Sequence, residues 1–267
     1  MIPWENLRPT QRAILEAYGG GRMGISAVPG SGKTYTLSML AADLILKGDL
    51  DINQEVLIVT LSNSAVDNFT QRIAGFLQKA RMIPGLGYRV RTLHGLAHDI
   101  VRERPGLVNL ANDFSIIDER EALAIREQTA LAWLRANPYF FDDYLKPDLE
   151  DFKVDTLRAR DLPRLVQSIS DTVIRYAKDR ELTPEALRKQ LDHLPAPLPL
   201  AEMGCTVYQE YQRSLSYRGA VDFDDLIRLA LAALRLDPHL LTRLHEQWPF
   251  ILEDEAQDSS RLQEEIL

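Results

Sequence analysis

Through the first hundred residues, apolar positions alternate between helical and strand-like spacing. Residues 10–18 carry the three-to-four-residue apolar period of an amphipathic helix, residues 23–28 predict a short strand running into glycines, and a second helix starts at Lys33. The run EVLIVTL at 55–61 is apolar without interruption, as in a strand buried on both faces. A helix over 63–79, a short strand over 88–92 and a helix over 95–102 follow. Alternation of this kind predicts an α/β fold, a parallel sheet with helices on both faces.

The pattern then changes. From Pro105 to Arg218 the periodicity is helical, most clearly over 118–135 and 162–178, with little that reads as strand. This stretch, 105–218, is expected to be an inserted, mainly α-helical domain. Its segment 194–200 (LPAPLPL) is too rich in proline for a helix interior and reads as a connection. Helices over 223–236 and 240–247, a strand over 249–252 and a helical end at 259–267 restore the alternation. Residues 1–104 and 219–267 are therefore expected to form one discontinuous domain. No internal repeat is visible.

Composition narrows the class. With 45% hydrophobic and 26% charged residues in 267, the chain can bury a substantial core. The single cysteine, Cys205, excludes an internal disulfide and has no Cys or His company at metal-ligand spacing, which suits a reducing, cytoplasmic setting. No uncharged apolar run reaches membrane-spanning length and no secretory leader is visible, so a soluble monomer without a membrane partner is expected. The net charge of -8 argues against nucleic-acid binding by bulk charge. Locally the sign reverses: Arg72, Lys79, Arg81, Arg89, Arg91, Arg102 and Arg104 face only Asp99 and Glu103 in the same stretch. That stretch suits either a phosphate-contacting face or an ordinary solvated surface.

Two motifs carry chemistry. Ala27-Val-Pro-Gly-Ser-Gly-Lys-Thr34 follows an expected strand and opens an expected helix, the context of a phosphate-binding loop. Pro29, Gly30, Ser31 and Gly32 supply a backbone able to curl around phosphates, Lys33 a cation for the β/γ oxygens, and Thr34 a hydroxyl for Mg²⁺. Ala27 stands where the general pattern has its first glycine. After the apolar run at 249–252 comes Glu253-Asp-Glu-Ala-Gln-Asp258. Asp254 is positioned to hold Mg²⁺, and Glu255 to polarise the water that attacks a γ-phosphate.

With both motifs present, the chain resembles the UvrD/Rep group of superfamily 1 DNA helicases, whose members carry a Gly-Ser-Gly-Lys-Thr loop and an Asp-Glu-x-Gln-Asp acid motif. Other matches occur in the expected order. Leu7-Arg-Pro-Thr-Gln11 resembles the upstream glutamine motif, which implies that Gln11 contacts the adenine edge, while Gln257 falls on the catalytic acid motif. Residues 60–73 resemble the Thr-Phe-Thr-Asn-Lys-Ala-Ala motif and Thr92-Leu-His-Gly95 the Thr-Phe-His-Ser motif; both line the single-strand DNA path in the family, implying DNA contacts for Asn63, Thr92 and His94. Val221-Asp-Phe-Asp-Asp-Leu226 is similar to the element that returns the family's chain from its helical insert. The resemblance implies a RecA-like P-loop NTPase domain with a helical insert, ATP and Mg²⁺ as ligands, single-stranded DNA and a second RecA-like domain as partners, and 3′ to 5′ translocation in repair, recombination or replication. The second domain, with its arginines, is expected to lie outside these residues, leaving this chain alone nearly inactive.

The sequence departs from the family at Tyr35, where many relatives have arginine, at Leu61 for an aromatic, at Ser64 for lysine and at Gly95 for serine. Each DNA candidate also has a structural reading: Asn63 as a helix cap, His94 as a satisfied side chain, and Asp222 and Asp224 as acids favoured at a helix start. Gln11 can equally cap a helix. The departures leave a second function class open, a stand-alone nucleotide- or DNA-binding module without motor activity. A small-molecule phosphotransferase fits poorly with the long separation between Lys33 and Asp254.

Overall fold

The computed structural model describes residues 7–28, 30–48, 50–146 and 150–267. The chain divides into two compact units, residues 1–100 with 232–267, and residues 101–231. The helical stretch expected at 105–218 lies inside the second unit.

In chain order, the first elements are α1 (Pro9–Ala17), α2 (Lys33–Lys47), β1 (Val56–Thr60), α3 (Asn63–Lys79), β2 (Tyr88–Thr92) and α4 (Leu93–Glu103). Next come β3 (Ser115–Ile116), α5 (Glu119–Ala136), α6 (Asp151–Thr156), α7 (Leu162–Asp179), α8 (Pro184–Asp192), α9 (Pro199–Tyr217) and β4 (Ala220–Val221). The chain closes with α10 (Phe223–Leu236), α11 (Pro238–Gln247), β5 (Phe250–Glu253) and α12 (Arg261–Glu265).

The first unit is built on β1. It lies between β2 and β5 and is parallel to both, with Ile58 opposite Val90 on one side and Leu252 on the other. A central parallel strand has no solvent face, and all five β1 residues are buried. On one face Val56 and Ile58 pack with Leu37, Leu40 and Leu44 of α2 and with Phe69, Ile73 and Leu77 of α3. Leu57 and Val59, on the opposite face by the two-residue period, are buried as well.

The strand expected at 23–28 does not form. Gly24 and Ser26 interrupt its four apolar residues, so it lacks the β-branched run that keeps β1 buried, and Met23 and Val28 are 39% and 74% exposed. The closing helix is shorter than expected at both ends. Ser260 caps α12, and Gln263 reaches back to its backbone N–H at 2.8 Å.

In the second unit, α5, α7, α8 and α9 enclose Ile125, Ile174, Leu187, Tyr208, Tyr211 and Leu215. Gly204 allows α7 and α9 to approach closely, because a Cβ there would lie 2.6 Å from Val173 Cγ2. The proline-rich segment is a connection, as expected, and α9 starts at Pro199, where the absent N–H costs nothing. A two-residue parallel pairing of β3 with β4 was not foreseen.

Beneath β4 lies a buried ionic cluster. Lys178, 3% exposed, donates to Asp222 and, at 3.1 Å, pairs with Asp225. Tyr211 Oη donates to Asp222 at 2.6 Å, Gln212 Nε2 to Asp225 at 2.8 Å, and Arg228 approaches Asp225 at 3.3 Å. Asp222 Oδ1 also accepts the Asp225 N–H at 2.8 Å and so caps α10, the structural role open to it from the sequence. Burial alone would raise the Asp222 pKa. The Lys178 charge and the bonds from Lys178 and Tyr211 outweigh burial and hold it below the ordinary carboxylate value. Replacing Lys178 by Met leaves Asp222 without its cation and Asp225 with Arg228 alone, and is expected to destabilise this unit by about 3–5 kcal/mol in denaturant unfolding. Because the folded pKa of Asp222 is depressed, its contribution is complete above about pH 4 and is lost as pH falls through the folded value. Loss of stability on raising the pH from 5 to 7 would contradict this assignment.

Candidate nucleotide-binding site

Gly30 and Gly32 adopt φ of 78° and 91°, left-handed conformations that a side chain would strain. Pro29 lies outside the described residues. Between the glycines, the Ser31 N–H bonds the Val28 carbonyl at 3.1 Å, closing a tight turn. Gly32 is the N-cap of α2 and offers no side-chain oxygen, so the first N–H groups of a fifteen-residue helix meet no capping side chain. Such a terminus attracts anions through its unpaired donors and its dipole. Lys33 and Thr34 are the first two residues of that helix.

The acids arrive from the other end of the sequence. The β5 ladder continues by one bond, Asp254 N–H to the Val59 carbonyl at 2.9 Å, which fixes Asp254 at the carboxyl end of the sheet. Lys33 Nζ lies 2.7 Å from Glu255 Oε2 and 3.2 Å from Asp254 Oδ1. Thr34 Oγ1 donates to Asp254 Oδ2 at 3.4 Å. Glu255 has φ of 64°, an uncommon conformation for a residue with a side chain, and Gln257 Nε2 donates to both Glu255 and Asp258.

The electrostatics follow from this arrangement. Burial works to lower the Lys33 pKa, but the hydrogen bonds to Glu255 and Asp254 outweigh it and leave it raised. The Lys33 ammonium, followed by the Gln257 amide, holds the Glu255 carboxyl below its usual range. Asp254 is 4% exposed, and its Oδ1, though in ion-pair contact with Lys33, has no aligned hydrogen-bond donor. A buried carboxylate oxygen without a donor, beside a threonine hydroxyl, is a hard-oxygen pair that fits Mg²⁺. Lys33, Leu37, Glu255 and Gln257 border a cavity of about 780 Å³ that runs along β5, a volume suited to a small-molecule ligand.

Gln11 belongs to the same cluster. It is buried, its Oε1 accepts the Arg8 backbone N–H at 3.1 Å, and its Nε2 donates to Thr36 Oγ1 at 3.1 Å. Arg8, not singled out from the sequence, donates from Nη1 to the Ser31 carbonyl at 3.2 Å. Its signal was present in Arg-Pro-x-Gln, which reads as N-cap, N1 proline and N3 glutamine.

The three DNA candidates follow β1 and β2 at the same end of the sheet, since Thr60 lies opposite Thr92. Thr92 Oγ1 accepts the Gly95 N–H at 3.0 Å and starts α4. Gly95 makes this close approach possible, because a Cβ there would lie 3.0 Å from the same hydroxyl. His94 is half-buried, and burial pushes its pKa down, which favours the neutral imidazole at pH 7. Asn63 is the exposed first residue of α3; the capping role belongs instead to Ser62, whose hydroxyl accepts the Ala65 N–H at 3.2 Å. Of the basic stretch, Arg89 pairs with Glu55 and Arg91 with Asp99, each at 2.8 Å, so the charge of these two of its seven cations is locally balanced.

The proximity of Lys33 to Glu255 generates a titration prediction. In a Lys33→Ala variant the Glu255 pKa should rise toward the ordinary glutamate value, followed by carbonyl NMR shifts against pH. Gln257→Ala should produce a smaller rise. An unchanged Glu255 titration in Lys33→Ala would show that the two side chains do not meet in solution.

Residues 7–267 match the family described as the UvrD/REP helicase N-terminal domain. Over 250 residues the chain is 30% identical to an ATP-dependent DNA helicase PcrA from Leuconostoc citreum, covering 92% of this chain and 28% of that protein. An ATP-dependent DNA helicase UvrD1 from Mycobacterium tuberculosis is 27% identical over 97% of this chain and 29% of its own length. A DNA helicase II from Rickettsia typhi is 26% identical over 90% of this chain and 32% of its own. The chain thus spans about a third or less of the length of these relatives. Among the described residues, no helix is long and apolar enough to cross a membrane. A loop-and-acid site assembled from both ends of the chain and a family match from residue 7 to residue 267 lead to one conclusion: this chain belongs to the UvrD/REP helicase family, as an N-terminal domain.

Proposed function

We propose that this chain is the ATP-binding part of an ATP-dependent DNA helicase that moves 3′ to 5′ along single-stranded DNA in repair, recombination or replication. The observation that carries the reading is Lys33, on the first turn of α2, held between Asp254 and Glu255 at the carboxyl end of β5. Open parallel sheets bind ligands at that end of their strands. Here the ammonium offsets part of the charge of the two acids; with ATP bound it would turn to the β/γ oxygens and release both carboxylates.

Each side chain then has a role. The N–H groups of the loop and α2 bind phosphate oxygens, with Gly30, Ser31 and Gly32 as its backbone and Pro29 as its remaining member. Thr34 and Asp254 hold Mg²⁺, which when bound withdraws charge from the phosphoryl group being transferred. Glu255, a carboxylate at neutral pH, accepts a proton from the attacking water, and Gln257 holds the Glu255 carboxylate in place. Asn63, Thr92 and His94 contact the DNA strand. The inserted domain corresponds to the helical stretch 105–218, between the parts of a RecA-like domain at 1–104 and 219–267. A second RecA-like domain of the whole enzyme supplies the arginines that neutralise γ-phosphate charge, a contribution on the order of a thousandfold in rate in comparable hydrolases. The setting is cytoplasmic and the protein monomeric.

Binding of a fluorescent ATP analogue with Mg²⁺ tests this reading. Saturable binding is expected, weakened by about 10–100-fold in Lys33→Ala because charge-assisted bonds to phosphate are lost. Equal affinity in the variant would rule out Lys33 as a phosphate ligand.

A further inference from the structure

We infer that Ser259 is a positioning residue for Glu255: its hydroxyl, bonded to Glu253, closes the acid turn 254–258 onto the end of β5 and fixes where the Glu255 carboxylate points. The use made of Glu255 rests on the nucleotide reading above, but the contacts that place it do not depend on that reading.

One end of the turn is fixed by the sheet. Asp254 N–H bonds the Val59 carbonyl at 2.9 Å, the last rung between β5 and β1. Past it the backbone bonds run inside the turn, from Asp258 N–H to the Glu255 carbonyl at 2.9 Å and from Ser259 N–H to the Ala256 carbonyl at 3.3 Å. Such bonds shape the turn without attaching it to the sheet. Glu255 meanwhile sits at φ of 64°, a left-handed conformation that a residue with a side chain keeps only where its surroundings hold it.

The other end is fixed by a side chain. Ser259 Oγ donates to Glu253 Oε1 at 2.8 Å, and both residues are half-buried. Successive strand residues point to opposite faces. Leu252 packs into the core formed with α2 and α3, and Asp254 reaches Thr34 of α2, so Glu253 stands on the opposite face. The chain therefore leaves β5 with Asp254 on the α2 side, turns at 256–258, and is fastened on the other side by Ser259. A turn tied on both sides of the sheet end has little freedom to swing Glu255 away from Lys33.

Of the other contacts to Glu255, Gln257 belongs to the turn itself and Lys33 comes from α2. In the proposed nucleotide complex Lys33 turns to phosphate, and the bond from Ser259 to Glu253 is then the side-chain tie between the acid turn and its strand. It holds the proposed general base in place at the stage when that base acts.

The test compares the unaltered chain with Ser259→Ala, Ser259→Thr, Glu253→Ala and the Glu253→Ala/Ser259→Ala double variant. Without nucleotide, the Glu255 carboxyl is titrated by carbonyl NMR. Ser259→Ala should move its midpoint up toward the ordinary glutamate value, by less than Lys33→Ala does, because contact with Lys33 and Gln257 is loosened and not removed. Ser259→Thr keeps the hydroxyl and should keep the midpoint of the unaltered chain. In the Glu253→Ala background, Ser259→Ala should add no further shift, since the acceptor is already gone. Exchange of the Asp258 amide should quicken about fivefold in Ser259→Ala, the size of one hydrogen bond, while β1 amides are unchanged. An unmoved Glu255 midpoint in Ser259→Ala would overturn the inference even with faster Asp258 exchange, because Ser259 would then close the turn without aiming the carboxylate. An equal shift with and without Glu253 would overturn it as well. None of these readouts involves nucleotide, so the two readings fail separately. The expected shifts in a chain that binds no ATP analogue would sustain the role of Ser259 and refute the nucleotide site. Binding that depends on Lys33, with Glu255 unmoved in Ser259→Ala, would do the reverse.

Discussion

The parallel pairing of β5 with β1 is the constraint from which the site follows. Those strands lie nearly two hundred residues apart in sequence, yet the register Val59 opposite Glu253 and the bond from Asp254 N–H to Val59 set the height of both acids to within one peptide. A slip of one residue would turn Asp254 to the opposite face and carry a buried carboxylate away from Lys33 and Thr34. The ladder is held less by its few hydrogen bonds than by burial of β1 on both faces. The continuous apolar run at 56–59 therefore does more for the chemistry than any polar residue near it.

The same geometry explains why the acids tolerate burial. Asp254 is almost wholly removed from water, and a lone carboxylate there would be costly. Lys33 and Thr34 offset that cost in the ligand-free state, and the pull is mutual: Glu255 is held below its usual pKa while Lys33 is held above its own. Lys33 thus offsets one of the two negative charges in this cluster. The second unit uses an ionic cluster differently. Lys178, Asp222 and Asp225 are bonded to one another and to Tyr211, Gln212, Arg228 and a backbone N–H, which marks that cluster as structural.

What could be read from the sequence divides along physical lines. β1, α2, α3 and β5 were legible because long apolar runs and strong periods leave few alternatives, and the loop glycines were legible because their φ values admit little else. The segment 23–28 misled because apolar residues separated by Gly24 and Ser26 carry an alternation without the burial that stabilises a strand. The β3 and β4 pairing spans two residues, shorter than any period can register. Lys178 was invisible for another reason: its partners lie 44 and more residues away, and nothing in its neighbourhood distinguishes it from a solvated lysine. Arg8 was written in a capping pattern whose tertiary partner, the Ser31 carbonyl, has no sequence signature at all.

The proposed DNA contacts obey a different economy. A chain of net charge -8 cannot hold DNA by its overall field, and the arginines that look most suited to phosphate, Arg89 and Arg91, already face Glu55 and Asp99. Counterion release scales with the number of phosphates neutralised, so the pairing of Arg89 and Arg91 would lower the salt dependence of any DNA contact on this face. Under the proposed helicase reading, part of the binding would come from hydroxyl, amide and backbone donors near the strand ends, where Thr92, His94 and Asn63 stand, and such contacts would orient a strand more than attract it. Under the same reading, Leu61, 39% exposed, would offer a base an aliphatic contact without the aromatic face on which bases stack.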